Sequence, residues 1–415
     1  MRRPAPGEPA TTTGLPVKSY SPHSAKPQGQ GRLRAASAWA FLMIGLACTL
    51  LVIDLLLSAG VRQVRTLRQE RETIEAELAQ EPYRGADWGR AYWEEITRYT
   101  EEWAPYVGYR VGDMHGRFIN VDRGVRRTYT PRHAGSAHRP LMLFFGGSAA
   151  WGHGARDDYT LPSWLARVAE EHGEPWEVRN YAESGWVNWQ GVVYLLEKLA
   201  DGDRPQAVVF YSGVNEMLGG WQWPAMRRPI WDADSYPQAM RDWALQRNRP
   251  LARVWDYYRR TSLLWSALLP LPPANPASPR DTTTLAERLG AEYADDKEVV
   301  EGLGRTYGFS TVFAWQLTVA SKKMLSAQER RYAGWLQTSP ESRPALDWWL
   351  MQADLRDLYD RIGATVIAEH GAFDLSSAFD GMDGTAFIDW VHPSEAGNER
   401  IARALYDKLA PELRR

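Results

Sequence analysis

The chain has 415 residues, of which 44% are hydrophobic and 24% are charged, and its formal net charge is −2. These are ordinary globular values, so they exclude wholesale disorder and fibrous designs. The near-neutral balance argues against nucleic acid as the main partner, because binding phosphates requires a basic surface. Cys48 is the one cysteine, which excludes an intramolecular disulfide and any cysteine-based zinc or iron–sulfur site.

The first 60 residues divide into a polar part and an apolar part. Residues 1–34 are rich in Pro, Gly, Ser and Thr, bury too little apolar surface to offset the entropy lost on ordering, and are predicted to be a disordered tail. Residues 35–60 are almost continuously apolar. At about 1.5 Å of rise per residue, a helix of that length crosses a bilayer with some tilt. We therefore predict a transmembrane helix at residues 35–60.

Two alternatives to a membrane anchor are a cleavable signal peptide and a chain that starts at a lipid-modified cysteine. A cleavable signal peptide has a shorter apolar stretch, of about 7–15 residues, although the small residues 58–60 leave cleavage open. Cys48 lies in the middle of the span, which argues against a lipid-modified start there. Basic residues are slightly more numerous before the span than after it, which favours a single-pass protein with its large domain outside the cytoplasm.

Two segments follow the span. Residues 61–81 mix Arg and Glu with few apolar positions, which is typical of a solvated helical stalk and provides too few heptads for a coiled coil. Residues 82–138 form an N-terminal extension rich in Tyr, Trp and Arg. Aromatic side chains at helical spacing indicate packing against a neighbouring domain more often than a ligand site.

From residue 139 to residue 415, apolar runs alternate with helical patterns. Strands are predicted at residues 141–145, 176–181, 207–211, 364–368 and 372–376, and helices at residues 161–171, 189–200, 346–362 and 394–409. This alternation indicates an α/β fold, in which a parallel sheet has helices on both faces. A mostly helical insertion is predicted at about residues 218–344. The sequence leaves open whether it is a lid, a packing appendage or a second membrane-facing surface.

Short polar motifs follow the first three predicted strands. Ser148 comes directly after Gly146 and Gly147, and a serine at a strand-to-helix turn exposes its hydroxyl and presents its own N–H to a developing oxyanion. Gly185 and Asn215 follow the second and third strands, where a backbone N–H and a side-chain amide are suitable oxyanion donors. Taken singly, each motif is also an ordinary strand-to-helix turn.

A carboxylate and an imidazole stand before the last predicted helix. Asp389 and His392 are three residues apart, so the carboxylate can orient the imidazole, which can then take a serine proton. Alternatively, Asp389 and His392 are ordinary loop residues before a helix and have no catalytic role. His153 is interpreted either as a pocket residue or as a surface loop histidine. Asp157 and Asp158 are interpreted as helix-start charges or as cation ligands.

Other cofactor signals are absent from the sequence. The eight histidines show no metal-binding spacing, and no phosphate-cradling glycine loop occurs. We therefore expect neither a metal nor an organic cofactor.

Taken together and in this chain order, the four motifs resemble the blocks of the SGNH/GDSL hydrolase superfamily. The resemblance implies that Ser148 is the nucleophile and that Asp389 and His392 complete a catalytic triad. It implies that Gly185 and Asn215 form the oxyanion hole with the Ser148 N–H. It also implies a flavodoxin-like three-layer α/β/α sandwich with a five-stranded parallel sheet.

The resemblance covers roughly residues 138–410, interrupted by the insertion. Two positions depart from the family pattern: Gly147 stands where the name-giving motif has Asp, and Glu216 ends a block that otherwise ends in Asp. Neither change removes a group that the mechanism needs.

The function implied is that of a membrane-tethered serine esterase, which hydrolyses a carboxylic ester through an acyl-serine intermediate. An O-acetylated glycan and a lipid ester are both candidate substrates, and the membrane is the expected partner. Two alternatives remain: an O-acyltransferase for a cell-surface polysaccharide, and a non-catalytic membrane assembly module. The sequence does not determine the oligomeric state.

Overall fold

A computed structural model describes residues 28–132, 139–228, 258, 262, 281–335 and 353–413. The first described element is one continuous helix, Gln28–Leu78. From Ser37 onward it contains a window with a mean hydropathy of 2.6, none of which is buried, and by length and composition it can cross a membrane. The apolar part ends near Gly60, because arginines and glutamates follow. Most of the predicted tail, residues 1–34, lies outside the described residues.

The one acidic side chain in the apolar part of this helix is Asp54. Its carboxylate accepts hydrogen bonds from the hydroxyls of Ser58 and Ser262. An ionisable group in an apolar span is costly unless it is paired in this way. Since Ser262 lies in the segment assigned to the insertion, that segment reaches the N-terminal helix Gln28–Leu78 at this residue.

The last turns of this N-terminal helix contact the main domain. Ile74 and Leu78 lie four residues apart and pack on the hydrophobic core, and Glu77 between them is half-buried. Side chains at this spacing share one helix face. The solvated stalk expected for residues 61–81 is therefore wrong for its final turns, which are docked on the domain.

The aromatic extension forms a short helix, Gly89–Ile96, and five short strands. These strands are β1 (Glu101–Ala104), β2 (Gly108–Val111), β3 (Met114–His115), β4 (Asn120–Asp122) and β5 (Val125–Arg126). The first two pair with each other, whereas β3, β4 and β5 join the edge of the main sheet as antiparallel strands. The extension is thus built onto the domain by backbone pairing.

The centre of the domain is a mixed, mostly parallel sheet of seven strands. Its four parallel strands are β6 (Leu141–Gly146), β7 (Glu177–Asn180), β8 (Ala207–Ser212) and β9 (Ser310–Trp315). The order across the sheet is β3-β4-β5-β7-β6-β8-β9. Strand β8 is buried along its whole length, as expected of a strand covered on both faces.

Two hydrophobic cores lie on opposite faces of this sheet. Along β6, Met142 and Phe144 point into one core and Leu143 and Phe145 into the other, because successive side chains of a strand point to opposite faces. The first face is covered by helices Leu161–Glu171 and Glu395–Leu413. The second is covered by helices Asn188–Ala200, Val214–Gln222, Thr282–Tyr307 and Ala353–Ala368. The predicted three-layer α/β/α fold is confirmed.

The fourth and fifth sheet positions differ in detail from the sequence prediction. Residues 364–368, predicted as a strand, end the helix Ala353–Ala368, so that prediction is wrong. Leu358, Ile362 and Val366 recur every four residues and are all buried, a helical spacing that outweighs the local β-branched run.

The fourth parallel position is taken by β9, which lies inside the segment assigned to the helical insertion, residues 218–344. At the fifth position, the predicted strand 372–376 is reduced to a single parallel bridge between Ala314 and Phe373. Residues 229–280 lie outside the described part of the chain, apart from Tyr258 and Ser262.

Candidate active site

The site begins where β6 ends and the short helix Ser148–Trp151 starts. Gly146 has a φ of +156°, and a Cβ there would collide with the carbonyl oxygen of Tyr211 on the neighbouring strand. At Gly147, a Cβ would collide with Nδ2 of Asn215. The two glycines therefore let the chain turn sharply against its neighbours and bring Ser148 to the carboxyl edge of the sheet.

Ser148, His392 and Asp389 form one line of hydrogen bonds. Oγ of Ser148 lies 2.7 Å from Nε2 of His392, and Nδ1 of His392 lies 2.6 Å from Oδ2 of Asp389. Because a carboxylate can only accept, Nδ1 carries the ring proton, and Nε2 is left to accept from the serine hydroxyl. The imidazole is thus held in the tautomer that a general base requires.

The carboxylate of Asp389 is fixed by its own loop. Its Oδ1 accepts from the backbone N–H groups of Val391 and His392, each at 2.7 Å. Burial by itself raises the pKa of Asp389, but the charge of His392 and these hydrogen bonds outweigh burial, so the net effect lowers the pKa of this carboxyl. Asp389 is therefore ionised in the neutral range and stabilises a positive imidazolium.

Gly185 and Asn215 meet beside the serine through Trp186. Nδ2 of Asn215 donates to the Trp186 carbonyl oxygen at 2.8 Å, and Gly185, with a φ of +77°, directly precedes that tryptophan. The same Nδ2 lies against Gly147. One amide hydrogen of Asn215 holds the Gly185 loop, and the amide has a second hydrogen for a substrate oxygen.

Two buried carboxyl groups stand next to these oxyanion candidates in sequence. Glu216 accepts from the backbone N–H of Asn188 at 2.7 Å, and burial raises its pKa to about 7. Glu183 accepts from the N–H of Val111 at 3.0 Å, and burial raises its pKa well above the ordinary value. Glu216 ties the start of the helix that carries Asn215 to the helix Asn188–Ala200, and Glu183 ties the Gly185 loop to strand β2.

The loop after Ser148 is held by Arg126, whose side chain is fully buried. Its guanidinium donates to the carbonyl oxygens of Trp151, Gly152 and Ala155 and pairs with Asp157 at 3.2 Å. Asp157 begins the short helix Asp157–Tyr159, in agreement with the helix-start interpretation, and its carboxylate is at the same time the partner of this buried arginine. Sequence reasoning missed Arg126 because nothing local marks it.

His153 lies inside the site and not on the surface. Its ring centroid is 4.7 Å from that of His392 and 5.7 Å from that of Trp93. Burial, followed by the charge of His392, lowers the pKa of His153 to about 3. It is therefore a neutral ring packed beside His392 throughout the neutral range.

A cavity of about 460 Å³ opens between the N-terminal helix and this part of the domain. Its lining residues are Thr66, Gln69, Glu70, Thr73, Ile74 and Glu77 of the N-terminal helix, and Trp93, Ile96, Thr97, Tyr99, Trp151, His153 and Ser184 of the domain. The cavity adjoins the triad, because His153 contacts His392 and Ser184 directly precedes Gly185.

Glu77 brings a carboxyl group of the N-terminal helix close to the triad. Its pKa is raised to about 7, chiefly by burial and then by the charge of Asp389, while the charge of His392 and a hydrogen bond from Gln80 oppose the rise. This carboxyl lies well beyond the apolar part of the helix. The apolar pair Ile74 and Leu78 around it was the sequence signal that this turn docks on the domain.

Among the described residues, no group of three or more His, Cys, Asp or Glu side chains is arranged to hold a metal ion.

No family model matches the chain, and no curated protein is significantly similar to it. Solved structures are similar to it in fold. A lipolytic G-D-S-L family protein from Veillonella parvula is 15% identical, with 65% of this chain and 98% of that chain covered and a TM-score of 0.32.

Two further solved structures have similar values. A lipase/acylhydrolase from Enterococcus faecalis is 15% identical, covering 66% of this chain and 96% of that chain, with a TM-score of 0.34. A carbohydrate acetylesterase from Sinorhizobium meliloti is 14% identical, covering 66% of this chain and 99% of that chain, with a TM-score of 0.34. What these enzymes act on is a property of those proteins alone.

Proposed function

We propose that the chain is a membrane-tethered serine esterase of the SGNH/GDSL type, with its catalytic domain outside the cytoplasm. The observation that carries the proposal is the unbroken line from Ser148 through His392 to Asp389, with distances of 2.7 and 2.6 Å. A serine, a base and an orienting carboxylate in hydrogen-bond contact are the arrangement that nucleophilic ester cleavage requires.

In the acylation step, Oγ of Ser148 attacks the ester carbonyl carbon while Nε2 of His392 takes the hydroxyl proton. The carbonyl oxygen becomes an oxyanion, which the N–H groups of Ser148 and Gly185 and the amide of Asn215 stabilise. The bond to the alcohol oxygen then breaks, and His392 returns the proton to the leaving alcohol.

In the deacylation step, His392 takes a proton from a water molecule, whose oxygen attacks the acyl-serine. The carboxylic acid leaves, and the proton returns to Ser148. Asp389 stays ionised throughout and stabilises the imidazolium that forms twice in each cycle. The neutral ring of His153 adds no competing positive charge beside His392.

The N-terminal helix Gln28–Leu78 is the proposed membrane helix. Its length favours a glycan ester over a lipid ester in the same bilayer. The helix is continuous to Leu78, and its apolar part ends near Gly60. At 1.5 Å per residue, Glu77 stands about 25 Å beyond that end. The acyl esters of a bilayer lipid lie near the boundary of the hydrocarbon core, well below this level.

A fluorophosphonate probe tests the esterase proposal on the full chain in detergent. We expect wild type to be labelled and to hydrolyse p-nitrophenyl acetate, and Ser148→Ala to lose labelling and about 10⁴-fold or more of its turnover. Ser377 offers a matched control, because Ser377→Ala removes an exposed hydroxyl that takes no part in the hydrogen bonds of the triad. Absence of labelling in wild type, or equal labelling of Ser148→Ala, would favour a non-catalytic assembly module.

An O-acyltransferase is a second candidate, favoured by the cavity beside the triad. It shares the acyl-serine, but a sugar hydroxyl replaces water in the second step. Product analysis with and without a glycan acceptor separates the two functions. An esterase releases the free acid in both cases, whereas a transferase converts the acceptor into its ester.

A further inference from the structure

We propose that the cavity between the membrane helix and the catalytic domain binds the sugar that carries the scissile ester. The inference rests on the proposed esterase function and names the substrate class of that site. It also assigns a binding role to a helix that otherwise serves as an anchor.

The first argument is position. The cavity is bounded by His153, whose ring is 4.7 Å from that of His392, and by Ser184, which directly precedes Gly185. A group held there lies next to both the general base and the oxyanion loop. The alcohol part of an ester leaves from this side when His392 returns its proton.

The second argument is size. The volume of about 460 Å³ falls within the roughly 300–1,000 Å³ of pockets that hold small organic ligands. It is far larger than an acetyl group needs. The cavity therefore suits the larger part of an acetate ester, which is the alcohol.

The third argument is the chemistry of the two walls. The membrane helix contributes the hydroxyl and amide groups of Thr66, Gln69 and Thr73, and the domain contributes aromatic rings that include Trp93 and Tyr99. Sugars are amphipathic in the same way, with hydroxyl edges and apolar C–H faces. A fatty acyl chain, by contrast, has no hydrogen-bonding groups to meet the polar side chains of this helix wall.

The test fills the cavity from its membrane-helix side in the full chain, held in detergent. Thr73→Trp places a large ring in the cavity, and Arg71→Trp is the matched control because Arg71 is exposed and does not line it. Two substrates are compared, a partially O-acetylated cellotriose and p-nitrophenyl acetate. For Thr73→Trp, we expect the ratio of the two kcat/KM values, saccharide over nitrophenyl ester, to fall about tenfold, which corresponds to about 1.4 kcal/mol.

A second measurement uses deacetylated cellotriose as an inhibitor of p-nitrophenyl acetate hydrolysis. We expect inhibition in wild type and in Arg71→Trp and a clearly weaker effect in Thr73→Trp. A ratio in Thr73→Trp equal to that of wild type, or an equal fall in Arg71→Trp, overturns the sugar site. Either result leaves the esterase proposal standing, because nitrophenyl ester turnover and Ser148 labelling test it separately.

Discussion

The two sides of the candidate site are built differently. On the sheet side, buried groups hold the segments beside Ser148 and Asn215: Arg126 bonds three carbonyl oxygens of the loop after Ser148, and Glu216 accepts from Asn188. On the N-terminal helix side, the wall consists largely of exposed polar side chains on one helix face, and Ile74 and Leu78 pack on the core. The sheet side is therefore held by buried polar contacts, whereas the helix-side wall is mostly exposed.

This difference matches two roles: the sheet side carries out the reaction, and the helix side contacts the substrate. Groups that stabilise a transition state must be held in place before the reaction begins, and dense hydrogen bonding achieves this. A wall that selects the substrate has no such requirement. Changes on the sheet side should therefore reduce stability or turnover strongly, whereas changes on the helix side should act locally and more weakly.

The largest expected effect comes from breaking the buried ion pair on the sheet side. Arg126→Met leaves Asp157 as an uncompensated buried charge and removes the donors to three carbonyl oxygens. We expect the free energy of unfolding to fall by about 3–5 kcal/mol. Denaturant unfolding followed by tryptophan fluorescence measures it.

Arg123 provides the control for that variant. It lies in the same hairpin but its side chain is 87% exposed, so Arg123→Met should change the free energy of unfolding by less than about 0.5 kcal/mol. Similar losses in both variants would show that the buried position of Arg126 has no special importance.

A smaller effect is expected from the oxyanion side of the sheet edge. Asn215→Ala removes one donor to the developing oxyanion and should lower kcat about 10²–10³-fold with the fold intact. Steady-state kinetics on p-nitrophenyl acetate checks this. Gln222→Ala, at the far end of the same helix, should stay within about twofold, and a kcat for Asn215→Ala near that of wild type would remove Asn215 from the oxyanion hole.

The smallest effect is expected on the pH dependence of stability. It comes from two carboxyl groups whose pKa values are both raised to about 7, Glu77 on the helix side and Glu216 on the sheet side. A folded state with a raised carboxyl pKa holds its proton up to about pH 7, whereas the unfolded or undocked state releases it near pH 4.5. The stabilisation is therefore complete below about pH 4.5 and is lost as the pH rises through 7. Glutamine variants should remove this pH dependence.

The two variants should differ in where the pH dependence disappears. Glu216→Gln should flatten the fall in global unfolding free energy between pH 5 and 8 by about 1–3 kcal/mol. Glu77→Gln should flatten only the opening equilibrium of the last helix turns, by about tenfold, as read by amide hydrogen exchange of residues 70–78. A global effect of Glu77→Gln as large as that of Glu216→Gln would contradict the contrast between the two sides.

Much of the fold could be predicted because its signals are local. The runs that became β6 and β8 are continuous and apolar and are followed by glycine, as buried parallel strands are. Strand β7 instead alternates polar and apolar residues from Glu177 to Asn180. Ser148, Gly185 and Asn215 follow those runs directly, and parallel strands bring their carboxyl ends to one edge. The spacing of Asp389 and His392 is also local, within one turn of chain.

Other parts were missed or misread because competing local signals outweighed the correct one. Strand β9 lies among helical patterns and was included in a helical insertion. The β-branched run at residues 364–368 has strand composition, yet it ends a helix because Leu358 and Ile362 extend its buried face. Local composition cannot settle such cases, since the packing partners decide which pattern is buried.

The sequence by itself determined the apolar span, the parallel sheet and the residue types at its carboxyl edge, because each depends on a periodicity or spacing within one segment. Only the tertiary structure decided that Arg126 holds the loop after Ser148 and that Glu77 lies beside the triad. These contacts join segments far apart in the chain, and folding brings them together by burying apolar surface that surrounds them. No local pattern of charges or apolar residues encodes which distant loop a buried arginine or a docked helix will meet.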